Sequence, residues 1–428
     1  MAKVYIQTHG CSTNFSESEI MAGLLANAGF EITGDKKLSD AIIISICTVK
    51  GENTALREIK RITAEFPGKR LVIAGCLTNV LIKNARKIDE NASFISTHNI
   101  KSICEIVEES VNGNAVELLA KENDAKLNMP KIRKNPAIGI IPILNSCRGS
   151  CIYCSVRAIK GKLFSYPAEN IIKEADICLN EGCKELWITS QDNASYMLEK
   201  GRSSKLPELL KSIVGIEDKF MLRIGMMNPN NAMPIVSEMI DIYKNEKVFK
   251  FLHLPVQSGN DEILKLMNRK YDVNSFKNII NKFRKEIPDV TISTDIICGF
   301  PTETEEQFND SLSLIKEIRP DIVNISRFQP RANTKAAKME QIHGSITKNR
   351  SRVLTEISSN ISRMINERWL GWEGAVLVDE KGKDNSWIGR NFAYKPVVVK
   401  GDFRLGQEVN VKIGKVTAYD LRGEQQTI

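Results

Sequence analysis

Histidine is scarce in this chain, with four in 428 residues, so metal chemistry built on imidazole is not its main business. Long hydrophobic runs are missing too. The longest, residues 41–44 and 138–144, fall far short of the roughly 20 apolar residues that a helix needs to cross a bilayer. A short alternating run after Lys3 gives way to polar residues, which is not the pattern of a signal peptide, so a cytoplasmic protein is expected. Ten cysteines are too few for a disulfide scaffold at this length, and their clustering points to metal binding in a reducing compartment. There is no solenoid-type repeat and no low-complexity run. What is present is an ordinary globular composition, 42% hydrophobic, at a length that suits two or three domains. The net charge of +8 permits a polyanionic partner without requiring one.

The most informative stretch is NSCRGSCIYCSVRAIKGKLFSY, residues 145–166. Cys147, Cys151 and Cys154 stand in a C-x3-C-x2-C spacing that can hold three corners of a [4Fe–4S] cube and leave one iron open. A structural zinc would want a fourth Cys or His nearby, and residues 138–166 contain none beyond the three. With the aromatic Tyr153 before the last cysteine, the stretch resembles the signature of radical S-adenosylmethionine (SAM) enzymes. That resemblance implies that the open iron chelates SAM and that an electron from the cluster cleaves it.

The rest of the chain reads in three blocks, giving an α/β protein. Residues 1–116 alternate strand and helix: strands at 3–7, 41–46, 70–74 and 93–96, and helices at 16–28, 52–65, after 79, and 100–111. Ser16 is the expected N-cap of the first helix, with Glu19 completing a capping box. Short connections between alternating elements imply a doubly wound parallel sheet. Cys11, Cys47 and Cys76 each follow a strand, in THGC, SICT and AGCL, at the carboxyl edge where such sheets bind ligands. Each alone reads more readily as a small buried hydrophobe, whereas three at one edge of a sheet make a candidate second metal site.

Residues 117–136, rich in Lys and Asn, read as a linker. Residues 137–368 hold six βα-like units, with strands near 138–144, 185–189, 220–226, 249–254, 290–297 and 322–328, which implies an open partial (βα)6 barrel. Gln191, Gln257, Ser258 and Asp295 fall at strand ends and, with Tyr153, are the expected SAM contacts. Asp295 reads as well as a strand-end cap. A long helix near 345–370 precedes residues 369–428, where short alternating strands and Gly turns imply a small five-stranded barrel of OB type. Trp387, Arg390, Tyr394 and Lys395 are its expected RNA-facing residues, or else an ordinary solvated or partly buried barrel face.

These motifs together resemble the methylthiotransferases, and THGCSTNFSESE, SICTVK, AGC, HLPVQSG and TDIICGFPTETEEQF carry the resemblance along essentially the whole chain. MPKIRKNP, SYP, RIGMMNP and AAKMEQ look most like the archaeal and eukaryotic branch. The resemblance implies a TRAM domain at the C-terminus. It also implies two [4Fe–4S] clusters, an auxiliary one on Cys11, Cys47 and Cys76 and a SAM-cleaving one on Cys147, Cys151 and Cys154. The implied reaction takes the hydrogen from C2 of N6-threonylcarbamoyladenosine (t6A) at position 37 of tRNA, inserts sulfur from the auxiliary cluster and methylates it with a second SAM. Implied partners are ANN-decoding tRNAs carrying t6A37 and an electron donor such as a ferredoxin or flavodoxin, with no membrane. Isopentenyl-adenosine tRNA, a ribosomal protein, or a non-catalytic RNA-binding iron–sulfur sensor are the rival readings. The t6A carboxylate calls for a planar cation, for which Arg157 and Arg331 are the candidates and Lys160 a weaker third. The chain departs from the branch pattern at Ser45, Lys160, Asn193–Met197 (for Thr-Gly-Ala-Tyr-Gly) and 331–334 (Arg-Ala-Asn-Thr for Arg-Pro-Gly-Thr).

Overall fold

The structure is a computed structural model and describes residues 1–47, 51–201 and 203–426. Thr48, Val49 and Lys50 of the SICTVK motif, and the last two residues of the C-terminal segment, lie outside the described residues. The chain divides into two compact units: Met1–Lys134 with Ile140–Cys147 and Cys154–Glu174, and Asn135–Gly139 with Arg148–Tyr153 and Ala175–Ile428.

The first unit is built on a parallel sheet. Its elements run β1 (Lys3–His9), α1 (Ser12–Asn27), β2 (Glu31–Ile32), β3 (Ala41–Cys47), α2 (Glu52–Glu65), β4 (Arg70–Cys76), α3 (Asn79–Arg86), β5 (Ser93–Ser96), α4 (Ile103–Val111) and β6 (Glu117–Leu118). The spatial order is β2-β1-β3-β4-β5-β6, so the strand order reverses between β1 and β3. Successive side chains of a strand point to opposite faces. Ile43, Val72 and Ala74 therefore pack under α1 and α4, while Ile42, Ile44 and Ile73 pack under α2 and α3. The two-residue edge strands β2 and β6 carry too little pattern to be read from sequence.

The first helix starts earlier than its sequence suggests. Cys11 is the N-cap, the side chain of Asn14 accepts from the Cys11 amide at 3.3 Å, and Ser16 and Glu19 lie buried inside the helix. Asn14 does for Cys11 what Glu19 was expected to do for Ser16. The expected helix 100–111 opens as a 3-10 turn, Ile100–Ser102, before α4. The charged stretch after β6 is not simply solvated. Lys126 is buried and bonded to Glu17 at 2.7 Å, and Lys131 reaches Glu174 at 2.5 Å with both side chains almost fully covered.

Next come β7 (Ile138–Pro142), β8 (Leu144–Asn145), α5 (Val156–Lys160), β9 (Phe164–Ser165) and α6 (Ala168–Asn180). In the second unit, β10 (Glu185–Thr189), α7 (Leu206–Val214), β11 (Met221–Ile224), α8 (Pro229–Ala232) and α9 (Val236–Lys244) lead to β12 (Phe251–His253). Then follow α10 (Asp261–Leu266), α11 (Val273–Glu286), β13 (Thr291–Cys298), α12 (Glu305–Ile318), β14 (Ile322–Arg327) and α13 (Gly344–Asn366). Parallel pairing joins β10 to β11 and β12 to β13 to β14, and a single parallel bridge, Leu222 to Val248, continues the curve. The amides of Lys184 and Glu185 both donate to the Ala137 carbonyl, which sets β10 beside the start of β7.

The chain closes with β15 (Glu373–Lys381), β16 (Ser386–Arg390), β17 (Pro396–Lys400), β18 (Glu408–Val416) and β19 (Leu421–Gln425), a closed five-stranded barrel filled by Val376, Val378, Val397, Val411 and Ile413. Its expected RNA-facing residues are elsewhere engaged. Tyr394 and Lys395 are buried, Arg390 is half-buried and bonded to Asp379 at 2.9 Å, and Trp387 is half-buried and donates to the Gly401 carbonyl. Lys395 bonds Asp321 at 2.6 Å and Asn366 at 2.8 Å. Burial by itself lowers the Lys395 pKa, and Asp321 opposes that shift.

That pair supplies a stability test. Asp321→Ala should cost about 3–5 kcal/mol because it leaves the Lys395 ammonium buried with its main counter-charge gone. Urea unfolding of the apo chain measures it, and a loss below about 1 kcal/mol would mean the pair behaves as if exposed.

Candidate active site

The first cysteine group is assembled by the parallel ladder. Cys47 and Cys76 are register partners on the last rung of β3 and β4, and Cys11 lies just beyond β1 on the other side of β3. Cys47 hydrogen-bonds to both Cys11 and Cys76, so the three thiols converge. The hydrogen bond with Cys47 pulls the Cys11 pKa down to about 5, against burial and with help from Lys160, and the separate bond between Cys47 and Cys76 lowers Cys76. Cys47 keeps its proton, pushed up first by its bonds to Cys11 and Cys76. Gly75 makes room for this edge: its φ is +106°, and a Cβ there would meet the Ile46 carbonyl at 2.4 Å. Beside it the Asn14 Nδ2 is buried with no hydrogen-bond partner. Three converging thiols, two of them shifted toward thiolate, with a buried donor left over, fit a cluster ligand set. No group of three His, Cys, Asp or Glu among the described residues is arranged for a single metal ion, which is a different geometry from a cube gripped at separate corners.

Lys160 is not at a mouth. It is 2% exposed, and burial of its ammonium is outweighed by Cys76, Glu17 and Cys11, which raise its pKa. The residue that replaces the usual Arg thus faces the first cysteine group. Arg157, three residues earlier on the same short helix, is exposed, and Arg331 is half-buried.

Cys147, Cys151 and Cys154 stand on one loop after β8, and all ten cysteines are thiols. In the second unit the loop residues between the last two are anchored. Ile152 donates to the Met267 carbonyl and accepts from Ala336, and Tyr153 packs edge-on to Phe300 at 6.1 Å among Ile263, Met267 and Phe328. Arg269 donates Nη1 to the Cys151 Sγ at 3.3 Å. A charged N–H aimed at sulfur suits a thiolate ligand of a cluster. Burial opposes the Arg269 charge, but Tyr153, Tyr271 and Cys151 outweigh it and keep the guanidinium protonated. Beside it opens a cleft of about 310 Å³ lined by Arg148, Cys151, Asn228, Asn231, Arg269 and Lys270 among others, with no carboxylate in its lining.

The other expected SAM contacts sit at strand ends of the same unit. Gln191 follows β10, and its Oε1 is buried with no hydrogen-bond partner. Asp192 next to it is 1% exposed; burial raises its pKa, and it accepts from the Asn228 amide, Asn231 and Ser195. Gln257 holds φ +74° and pairs through its backbone with Asp295 and Ile297. Ser258 is fully buried, and its Oγ accepts from the Asn260 amide. The Asp295 Oδ1 takes hydrogen bonds from His253 Nε2 at 2.9 Å and Asn324 at 2.8 Å.

Two departures from the branch pattern fall where the backbone is left-handed. Met197 has φ +61° and Asn333 φ +64°, each in a stretch where the resemblance implies a glycine. The turns are therefore kept without the glycines, at little cost for Asn and more for Met. Arg269 went unmarked in the sequence, because nothing in the NRK spelling separates it from Lys270 beside it.

Residues 3–96 match the description "Uncharacterized protein family UPF0004", residues 141–315 "Radical SAM superfamily" and residues 370–425 "TRAM domain". A probable threonylcarbamoyladenosine tRNA methylthiotransferase of Pyrococcus horikoshii is 40% identical over 96% of this chain and 97% of its own length. Another, of Methanothermobacter thermautotrophicus, is 38% identical over 94% and 96%. The threonylcarbamoyladenosine tRNA methylthiotransferase of Drosophila pseudoobscura is 38% identical over 99% of this chain and 77% of its own. The chain belongs to this methylthiotransferase family. Among solved structures, the radical S-adenosylmethionine methyltransferase TsrM of Kitasatospora setae aligns with a TM-score of 0.55 at 12% identity, covering 76% of this chain and 72% of that one. The cobalamin-dependent enzyme OxsB aligns at 0.52 and 11%, covering 84% and 56%. At such identities these likenesses concern the fold alone. Membership in the radical SAM superfamily carries with it SAM and a [4Fe–4S] cluster.

The loop HLPVQSG depends on one close approach. A Cβ on Gly259 would lie 2.5 Å from the Ser311 Cα and 2.6 Å from the Asp310 carbonyl, and the Gly259 amide donates to the Ser311 hydroxyl. Gly259→Ala should lower stability by about 1–3 kcal/mol through overpacking. Chemical denaturation reads this, and an unchanged midpoint would show that α12 yields freely.

Proposed function

We propose that this chain is a radical SAM methylthiotransferase that converts t6A at position 37 of tRNA to its 2-methylthio derivative. The convergence of Cys11, Cys47 and Cys76 carries the reading, because sulfur insertion needs a second thiolate-rich centre besides the one that cleaves SAM. The relatives' names, which specify threonylcarbamoyladenosine, support the choice of nucleoside.

Cys147, Cys151 and Cys154 would hold one [4Fe–4S] cluster and Cys11, Cys47 and Cys76 the other. When bound, the first supplies the electron that cleaves SAM and the second the sulfur. The protein's part is to place and to seal. Ile152 and Tyr153, fixed in their apolar pocket, hold the cysteine loop in one geometry. Gln191, with its buried unpaired Oε1, is the best placed of the SAM contacts, joined by Tyr153, Gln257, Ser258 and Asp295. Lys160 balances the negative charge gathered by the first cysteine group. Arg157 and Arg331 are the candidates for the t6A carboxylate. For tRNA the exposed Tyr419, with Lys415 and Arg422 nearby in sequence, replaces the buried set on the C-terminal barrel, since stacking and phosphate contacts need accessible groups. A ferredoxin or flavodoxin is the expected electron source. No helix among the described residues is long and apolar enough to cross a membrane.

Reconstituted anaerobically, the chain should hold about eight irons, on the count of two four-iron cubes. Alanine at Cys147, Cys151 and Cys154 should halve that and stop SAM cleavage. Alanine at Cys11, Cys47 and Cys76 should also halve it but leave SAM cleavage without thiolation. With SAM and a reductant, mass spectrometry of nucleosides should show the methylthio product from t6A37 tRNA and none from isopentenyl-adenosine tRNA; the opposite preference refutes the proposal.

The carboxylate placement has its own test. Replacing the right arginine should abolish turnover of t6A tRNA while scarcely changing tRNA affinity, whereas a phosphate contact would weaken binding of modified and unmodified tRNA alike. If neither Arg157→Ala nor Arg331→Ala lowers turnover selectively, the carboxylate is bound elsewhere.

A further inference from the structure

We infer that Arg269 is a positioning residue that fixes the Cys151 thiolate and keeps the SAM-cleaving cluster reducible by raising its potential; the inference rests on Cys151 being a ligand of that cluster. The guanidinium is held on three sides. Nη1 donates to the Cys151 Sγ at 3.3 Å, Nη2 to the Pro255 carbonyl at 3.2 Å and Nε to the Tyr271 hydroxyl at 2.8 Å. Tyr271 is itself pinned, donating to the Pro255 and Val256 carbonyls at 3.1 and 2.8 Å. The fork therefore has one orientation, and its free edge faces sulfur. The neighbouring residue locks the same loop: Asn268 at φ +62° donates to both the Ser150 carbonyl and hydroxyl at 2.8 Å.

Arg269 is half-buried, and a guanidinium held in one orientation against sulfur favours a negative charge there. Two of its three hydrogen-bond partners are neutral oxygens, and the thiolate supplies the compensating charge. The same interaction acts back on the metal centre. An N–H bond to a ligating sulfur, and a fixed positive charge beside it, draw electron density from the cluster and favour its reduced state. The N–H and the sulfur are in direct contact at 3.3 Å, so the effect acts at short range beside the open cleft. Lys cannot replace the fork, because its ammonium is a point charge without two parallel donors. The position is set by α10, whose last turn delivers residues 267–270 against the cysteine loop, with Ile152 bonded to Met267 in the same strip.

The test uses the full-length reconstituted chain and the midpoint of the reduced-cluster EPR signal that responds to added SAM. Arg269→Gln should lower that midpoint by about 59 mV or more, a tenfold change in the ratio of reduced to oxidised cluster for a one-electron couple. Arg269→Lys should shift it the same way by less, and Tyr271→Phe, which leaves the charge but removes one anchor, by less again. SAM cleavage at a fixed reductant potential should fall in the same order. An unshifted midpoint in Arg269→Gln overturns the inference. If that variant does not load iron, unshifted midpoints in both Arg269→Lys and Tyr271→Phe overturn it. A wild-type chain without any SAM-responsive signal would instead refute the reading of Cys147, Cys151 and Cys154, which keeps the two failures apart.

Discussion

The β3–β4 ladder is the constraint on which the first cysteine group depends. Parallel strands lie just under 5 Å apart, and side chains at the same register point to the same face. Pairing Ala41 with Arg70 at one end therefore sets Cys47 against Cys76 at the other. The strand-order reversal between β1 and β3 opens the crevice in which the chain after β1 delivers Cys11. A slip of one residue would turn Cys47 to the opposite face and part it from Cys76, so the register of this ladder fixes the site.

Four buried cations among the described residues each meet a carboxylate. Lys126 meets Glu17, Lys131 meets Glu174, Arg350 meets Glu303 and Lys395 meets Asp321. These pairs specify neighbours more than they add stability, since desolvation offsets much of the attraction. Two cations break the pattern by facing sulfur: Lys160 toward Cys76 and Cys11, and Arg269 toward Cys151. In each case the anion is a thiolate that becomes permanent only with a cluster bound. The two cysteine groups thus share a design in which a cation, buried at Lys160 and half-buried at Arg269, answers the charge of the sulfur ligands.

At the strand ends of the second unit, expected SAM contacts are tied into the fold itself. Ser258 and Asp295 are engaged with their own neighbourhood, and Gln257 takes a left-handed turn that joins its strand end to Asp295. The C-terminal barrel shows the same economy. Its Tyr394 packs with the Arg223 guanidinium of β11 at 5.2 Å, and Arg390 lies beside Tyr394 at 4.9 Å. Tyr419, in the turn between β18 and β19, is left facing solvent.

The sequence by itself determined the strands and the cysteines. Period-two and fully apolar runs are local signals, so β3, β4, β5 and β10 could be read within a residue or two, and so could the fact that three thiols follow strands of one sheet. The spacing of Cys147, Cys151 and Cys154 is also local and needed no structure. Tertiary structure alone decided what was buried and what faced what. A lysine in a charged stretch looks solvated until Glu17 is seen beneath Lys126, and Ser16 looks like a cap until Asn14 is found serving Cys11. Arg390, Tyr394 and Lys395 spell a nucleic-acid face, yet their partners Asp379, Phe249 and Asp321 lie far away in sequence or across a strand turn. Arg269 is the sharpest case: one cation among three polar neighbours in sequence, made distinct only because α10 ends where the cysteine loop passes. Burial and pairing are sums over contacts distant along the chain, and no window of neighbouring residues contains them.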